Sequence, residues 1–183
     1  MEGRTRFVAS LEVNSASSLG GPYVLVQDDR MNDWVRGIGP DPDPKRGLYG
    51  RVCKGGSLIE RFDFEGSEVL RISDEPSDLL WRSLFDGGLV VQWVAAESEE
   101  DLIRFAETVA AREVWDESCV LRIRSSSVTI MDALGRPGDG EAKIVERLEP
   151  GDYQVDACLA EDDDNEALIV RLRRTSSLEV PAE

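Results

Sequence analysis

The chain has 183 residues, no histidine and a formal net charge of −16, from 37 acidic and 21 basic side chains. Histidine is the usual general base near neutral pH and the commonest metal ligand, so its absence argues against Ser-His-Asp or Cys-His catalysis and zinc hydrolysis. The charge disfavours nucleic acid and anionic membranes and suits basic partners, although acidity of this size also serves solubility alone.

The charge is unevenly placed. Residues 1–60 are neutral, residues 61–118 carry −10 and residues 119–183 carry −6. No apolar run approaches the ~20 residues needed to cross a bilayer. Residues 1–14 lack the apolar stretch of a signal peptide. Cys53, Cys119 and Cys158 are odd in number, widely spaced and without a CxxC pattern. That favours reduced thiols in the cytoplasm over a structural zinc site. The length predicts one domain over 20–174, with a subdivision near 117 as an alternative. A flexible leader, 1–19, precedes it and a frayed tail, 175–183, follows.

In chain order, Gly20-Gly21-Pro22 marks a turn and Tyr23 to Val26 a strand. Asp28 to Trp34 suits a short helical turn. Pro40, Pro42 and Pro44 alternate with Asp41 and Asp43 and force a loop. Tyr49 to Cys53 and Ser57 to Phe64 suggest short irregular strands, and Glu68 to Ile72 another. Leu79 to Phe85 suggests a short helix closed by Gly87-Gly88. Leu89 to Val94 is the clearest buried strand. Ser98 caps a helix to about Arg112, with acidic residues in its first turn and an apolar stripe through Leu102, Phe105, Ala106, Val109 and Ala110.

Beyond the helix the pattern is antiparallel. Val120 to Arg124 and Val128 to Asp132, separated by serines, suggest a hairpin. Ala142 to Leu148, Tyr153 to Leu159 and Ala167 to Leu172 are further strands, with the acidic run Glu161 to Glu166 as a solvated turn between the last two. The fold class is therefore α+β: a mostly antiparallel sheet with one main helix, about 98–112, packed on it.

Few residues offer chemistry. Asp162, Asp163 and Asp164 lack the alternate ligand spacing, central glycine and flanking helices of a calcium loop. A solvated turn, or a patch that pairs with basic groups, fits better. Asp74 and Glu75 are adjacent on an extended chain and point apart, which suits a turn or a partner contact better than acid–base work. Trp93 belongs in the core. Trp34, Trp81 and Trp115 sit among polar neighbours, where a surface anchor competes with burial. Arg51 near Cys53 would lower a thiol pKa, but no histidine is present to serve as base. Neither Gly20-Gly21 nor Gly55-Gly56 reads as a phosphate loop, and nothing calls for a cofactor.

Several short motifs recur in a telling order. These are Gly20-Gly21-Pro22-Tyr23-Val24-Leu25-Val26, Trp34-Val35-Arg36-Gly37, Tyr49-Gly50-Arg51-Val52-Cys53, Ser73-Asp74-Glu75-Pro76 and Gly88 to Val94. Val128 to Ala133 and Pro150 to Val155 continue the series. Together the order and spacing resemble the immunity protein 21 family of bacterial polymorphic toxin systems, over about residues 18–174. Two positions depart from the family pattern: Gly50 stands where an acidic residue is expected, and Ser73 where a glycine is.

The resemblance implies a non-enzymatic cytoplasmic protein that binds and blocks a cognate toxin domain. Many such toxins are nucleases with basic surfaces, which an acidic patch would cover. The candidate contacts are Asp74, Glu75, Asp162, Asp163 and Asp164, with Trp34 or Trp81 as an apolar anchor. Two other classes stay open: a metal-dependent enzyme or sensor using the acidic loop, and an acidic structural domain with no toxin partner.

Overall fold

Apolar residues at alternate positions make much of this chain into two-faced strands, and those strands build two antiparallel sheets. The computed structural model describes residues 14–18, 20–73, 77–136 and 143–177. The strands are β1 Asn14–Ala16, β2 Tyr23–Gln27, β3 Ile59–Phe64, β4 Ser67–Ile72, β5 Leu79–Leu84, β6 Gly87–Ala95, β7 Glu117–Ile123, β8 Val128–Asp132, β9 Ile144–Glu146, β10 Gly151–Glu161 and β11 Glu166–Ser177. The helices are α1 Met31–Ile38, α2 Gly47–Val52 and α3 Glu99–Ala110, with one 3-10 turn at Asp28–Arg30. One sheet has six strands in the order β1-β5-β6-β11-β10-β7, the other five in the order β3-β4-β2-β8-β9. The α+β class expected from the sequence is the one observed.

The sheets lie face to face. Leu25, Leu70, Ile72 and Ile130 from the smaller sheet meet Trp81, Val90, Leu121, Val155 and Val170 from the larger one. Helix α3 covers the outer face of the six-stranded sheet, laying Leu102, Phe105, Ala106 and Val109 on Leu89, Val91 and Ile169. Helices α1 and α2 cover the outer face of the five-stranded sheet through Trp34, Ile38 and Val52, packed on Val24, Val26, Phe62 and Met131. The result is four layers, helix–sheet–sheet–helix. With helices on both outer faces, central strands are buried on both sides and lose their polar alternation: every residue of β2 and of β8 is buried.

Four expectations require correction. Tyr49 to Cys53 is helical: Gly50 and Cys53 donate to the carbonyls of Arg46 and Tyr49, at 2.9 Å each, and Leu48, Tyr49 and Val52 share the face that packs inward. Leu79 to Leu84 is strand β5, because Leu79 and Trp81 face the inter-sheet core while Leu80 faces α3. Asn14 to Ala16, placed in the leader, pairs with β5, Ala16 opposite Leu79. β7 and β8 do not form a hairpin. β7 pairs with β10 in one sheet, whereas β8 pairs with β2 and β9 in the other.

That crossover between sheets has a specific chemical support. Gln27, at the end of β2, is 1% exposed. Its Nε2 donates to Ser67 Oγ at 2.8 Å, to the Glu68 carbonyl at 3.3 Å and to the Arg122 carbonyl at 3.1 Å. Its Oε1 accepts from the Arg124 and Ser125 amides at 2.6 and 3.0 Å. The side-chain amide thus replaces the ladder that the chain loses as it leaves one sheet for the other. Asp28 extends the clamp, accepting from Ser127 Oγ and from Thr129 Oγ1 at 2.7 Å.

Leucine at position 27 would fill the space but leave the Arg124 and Ser125 amides without that acceptor. Gln27→Leu should cost about 3 kcal/mol or more in chemical denaturation, since each unmade buried bond costs roughly 1–3 kcal/mol. A loss below about 1 kcal/mol would remove the clamp from this account.

Candidate partner-binding site

The register of two central strands gathers the acidic residues. β6 and β11 pair with Ala95 opposite Glu166. The chain leaving β6 toward α3 is therefore brought beside the β10–β11 turn. Ser98 caps α3, accepting from the Asp101 amide at 3.2 Å. Glu97, Glu99, Glu100 and Asp101 thus come to the same end of the sandwich as Glu161 to Asp164 and Glu166. The helix dipole favours carboxylates in the first turn. Arg104 is paired within the helix, with Glu100 at 2.9 Å and Asp101 at 3.1 Å.

Within the turn the three aspartates differ. Asp162 Oδ1 accepts from the amides of Asp164 and Asn165 at 3.0 and 2.8 Å, and from Asn165 Nδ2 at 3.0 Å. The Asp164 amide, the Asn165 side chain and amide, and nearby Arg112 hold its carboxyl below the ordinary range. Asp162 builds the turn, and exposed Asp163 and Asp164 are carried on it.

Among the concavities around this hairpin are an outer and an inner one. The outer one, of about 350 Å³, lies against α3 and includes Glu97, Asp101, Arg104, Arg112, Asp162 and Asp164. The inner one, of about 430 Å³, opens between the sheets and includes Leu58, Gln92, Val94, Leu159, Glu166 and Leu168. Val94 and Leu159 are 44% and 55% exposed, although the sequence places Val94 in its clearest buried strand and Leu159 in another strand. The surface role of these two residues has no signal in the sequence. It arises because β6 and β10 project past the opposing sheet.

Asp74 and Glu75 lie outside the described residues; Ser73, just before them, lines the inner groove. Trp34 and Trp81 are 0% and 1% exposed, which corrects their reading as surface anchors. The Trp34 indole donates to the Ala133 carbonyl at 3.2 Å and meets Phe64 edge-on, while Trp81 donates to Ser83 Oγ at 2.9 Å. Trp93 and Trp115 are partly buried beneath α3. Arg51 lies over the Phe62 ring, 4.6 Å from its centroid. Burial pushes the Cys119 and Cys158 thiols up to about 11. Among the described residues, no group of three or more Cys, Asp or Glu side chains converges to hold a metal ion. No described helix is long and apolar enough to cross a membrane.

Five residue pairs back from the acidic turn along β10 and β11 lies a buried ion pair. Arg171 Nη2 donates to Asp156 Oδ2 at 2.8 Å, and both residues are more than nine-tenths buried. The guanidinium also stacks on Trp115 at 4.6 Å and reaches Glu113 at 3.2 Å, fixing the segment that follows α3. Burial alone would raise the Asp156 pKa. Hydrogen bonds from Arg171, Gln154 and Ser118 outweigh it and hold the carboxyl below its ordinary value.

Two positions singled out in the sequence, Gly50 and Ser73, have unusual backbone settings. A Cβ at position 50 would lie 2.6 Å from the Lys45 carbonyl carbon, so the Pro-rich loop packs where a side chain would go. Ser73 adopts φ of +25°, in the left-handed region that glycine enters most easily.

Residues 15–166 match the family described as Immunity protein 21, and the chain belongs to that family. The family implies an inhibitor acting on a toxin. No match was found among curated proteins or solved structures.

Two outcomes test the site's supports. Asp156→Asn should destabilise the protein by about 3 kcal/mol at neutral pH, because it leaves Arg171 without its buried counter-charge. The lowered folded pKa means Asp156 contributes stability above its unfolded value of about 3.9, and that contribution is lost as pH falls through the folded pKa. The gap between variant and wild type should therefore narrow below about pH 4 in urea titrations. In the turn, Asp162→Ala should abolish amide exchange protection at Asn165, whereas Asp163→Ala and Asp164→Ala should preserve it.

Proposed function

We propose that this chain is a non-enzymatic immunity protein of a polymorphic toxin system, acting in the cytoplasm. It neutralises its cognate toxin domain by seating its acidic hairpin end over a basic active site. The observation carrying this reading is the Ala95–Glu166 register, which gathers two acidic segments 60 residues apart at one end. Such a field raises the rate of encounter with a basic surface. If the toxin is a nuclease, it also competes with phosphate for the same cationic groups. Family membership supports the inhibitor role, and Cys53, Cys119 and Cys158, which form no disulfide, suit a reducing compartment.

Co-expression with the toxin domain encoded beside this gene tests the reading. The wild-type chain should restore growth and copurify with the toxin; failure of both rejects the immunity role. The variant Glu99→Lys/Glu100→Lys/Asp163→Lys/Asp164→Lys should associate about tenfold or more slowly at low salt. Wild-type association should slow as ionic strength rises. A rate insensitive to salt would remove electrostatic steering and leave the immunity role standing.

A further inference from the structure

The inner groove differs from the outer cleft in one respect that bears on recognition. Arg104 and Arg112 line the outer cleft and oppose its carboxylates internally. Neither Lys nor Arg lines the inner groove among the described residues. Leu58, Val94, Leu159 and Leu168 give it an aliphatic lining beside the neutral Ser57, Ser73 and Gln92, and Glu166 is its one carboxylate. Aliphatic lining together with a carboxylate that no lining Lys or Arg opposes matches a side chain that has a methylene stem and a cationic head.

The wall across from β6 and β10 is also held in place. A Cβ at Gly55 would lie 2.0 Å from the Arg71 Cζ, so the loop rests directly on that guanidinium. Arg71 is 1% exposed and donates to the Ser57 carbonyl at 2.6 Å and to Ser57 Oγ at 3.0 Å. Gly56 is exposed, and a Cβ there would meet nothing within 4 Å, so the groove is open to solvent at that point. A preformed groove pays less ordering entropy on binding than a loose one.

We propose that this groove receives an arginine or lysine side chain of the toxin. Its methylenes lie on Leu58, Val94 and Leu159, and its cation meets Glu166. The proposal rests on the immunity reading above and adds the surface and the chemistry of the contact. The long carboxylate-rich turn then steers the approach, and the groove supplies the short-range fit.

Calorimetry with the catalytically inactivated toxin domain encoded beside this gene tests it. Val94→Lys and Leu159→Lys each place a cation where the partner's should sit. Binding should weaken at least about 30-fold for each, and about tenfold for Glu166→Gln, as expected of contacts at a central hot spot. Val120→Lys and Val145→Lys are controls at 51% and 50% exposed aliphatics elsewhere, and should bind within about threefold of wild type. Thermal melts establish folding; if a lysine variant unfolds, Val94→Ser and Leu159→Ser replace it, with the same direction of effect. Groove variants that bind like wild type overturn the proposal while the immunity role stands, as does an equal loss in the controls. A wild-type chain that neither binds nor protects removes both.

Discussion

The buried amide of Gln27 is the interaction on which the two-sheet arrangement depends. Where β7 ends, the chain must pass from one sheet to the other, and its peptide groups lose the partners a ladder would supply. Burying unpaired peptide groups costs more than hydrophobic contact across a short segment returns. One glutamine, itself the last residue of a fully buried strand, accepts from two amides of the crossover and donates to both sheets. The Glu117 carboxylate does related work along the edge, accepting from the Leu58 and Ile59 amides at 2.9 and 3.0 Å. Polar side chains, not a continuous barrel, thus stitch the edges of the sandwich together.

The candidate site follows from the same geometry. β10 and β11 are the longest strands, of 11 and 12 residues, and they carry the six-stranded sheet beyond its partner. Their projecting ends have water on the side where the core would otherwise continue. Val94 and Leu159 are consequently half-exposed, and the acidic turn stands beyond them as a ridge between two concavities. The buried Arg171–Asp156 pair anchors the segment behind that ridge, so the acidic surface is mounted on a rigid base. Rigid mounting matters for an inhibitor, because contacts already in position need not be ordered on binding.

Helix α3 was legible in the sequence because its cap, first-turn acids and apolar stripe all agree. Strands β2 and β8 and the β10–β11 turn were legible for a similar reason: their local signals and their tertiary setting coincide. Leu79 to Leu84 was not legible. Two leucines and a tryptophan in succession fit a helix turn or a strand buried on both faces, and only the helix lying over the far face distinguishes them. Tyr49 to Val52 misleads in the other direction, since aromatic and β-branched residues favour strands until a helical face is needed to cover Phe62 and Val69. The order of motifs pointed to the family to which the chain belongs, but the tryptophan in that series, Trp34, is a core residue.

By itself the sequence determined the α+β class, the main helix, the family and the acidic character of the turn after β10. These follow from local propensity, periodicity and composition, which act over a few residues. Only the tertiary structure decided that the strands divide into two sheets, that Trp34 and Trp81 are buried, and that Glu97 to Asp101 stand beside Asp162 to Asp164. It also decided that Val94 and Leu159 face a groove. Each of those facts depends on strand register and on which sheet ends first. Both are set by the sum of contacts between segments far apart in the chain, and no single stretch of sequence contains that sum.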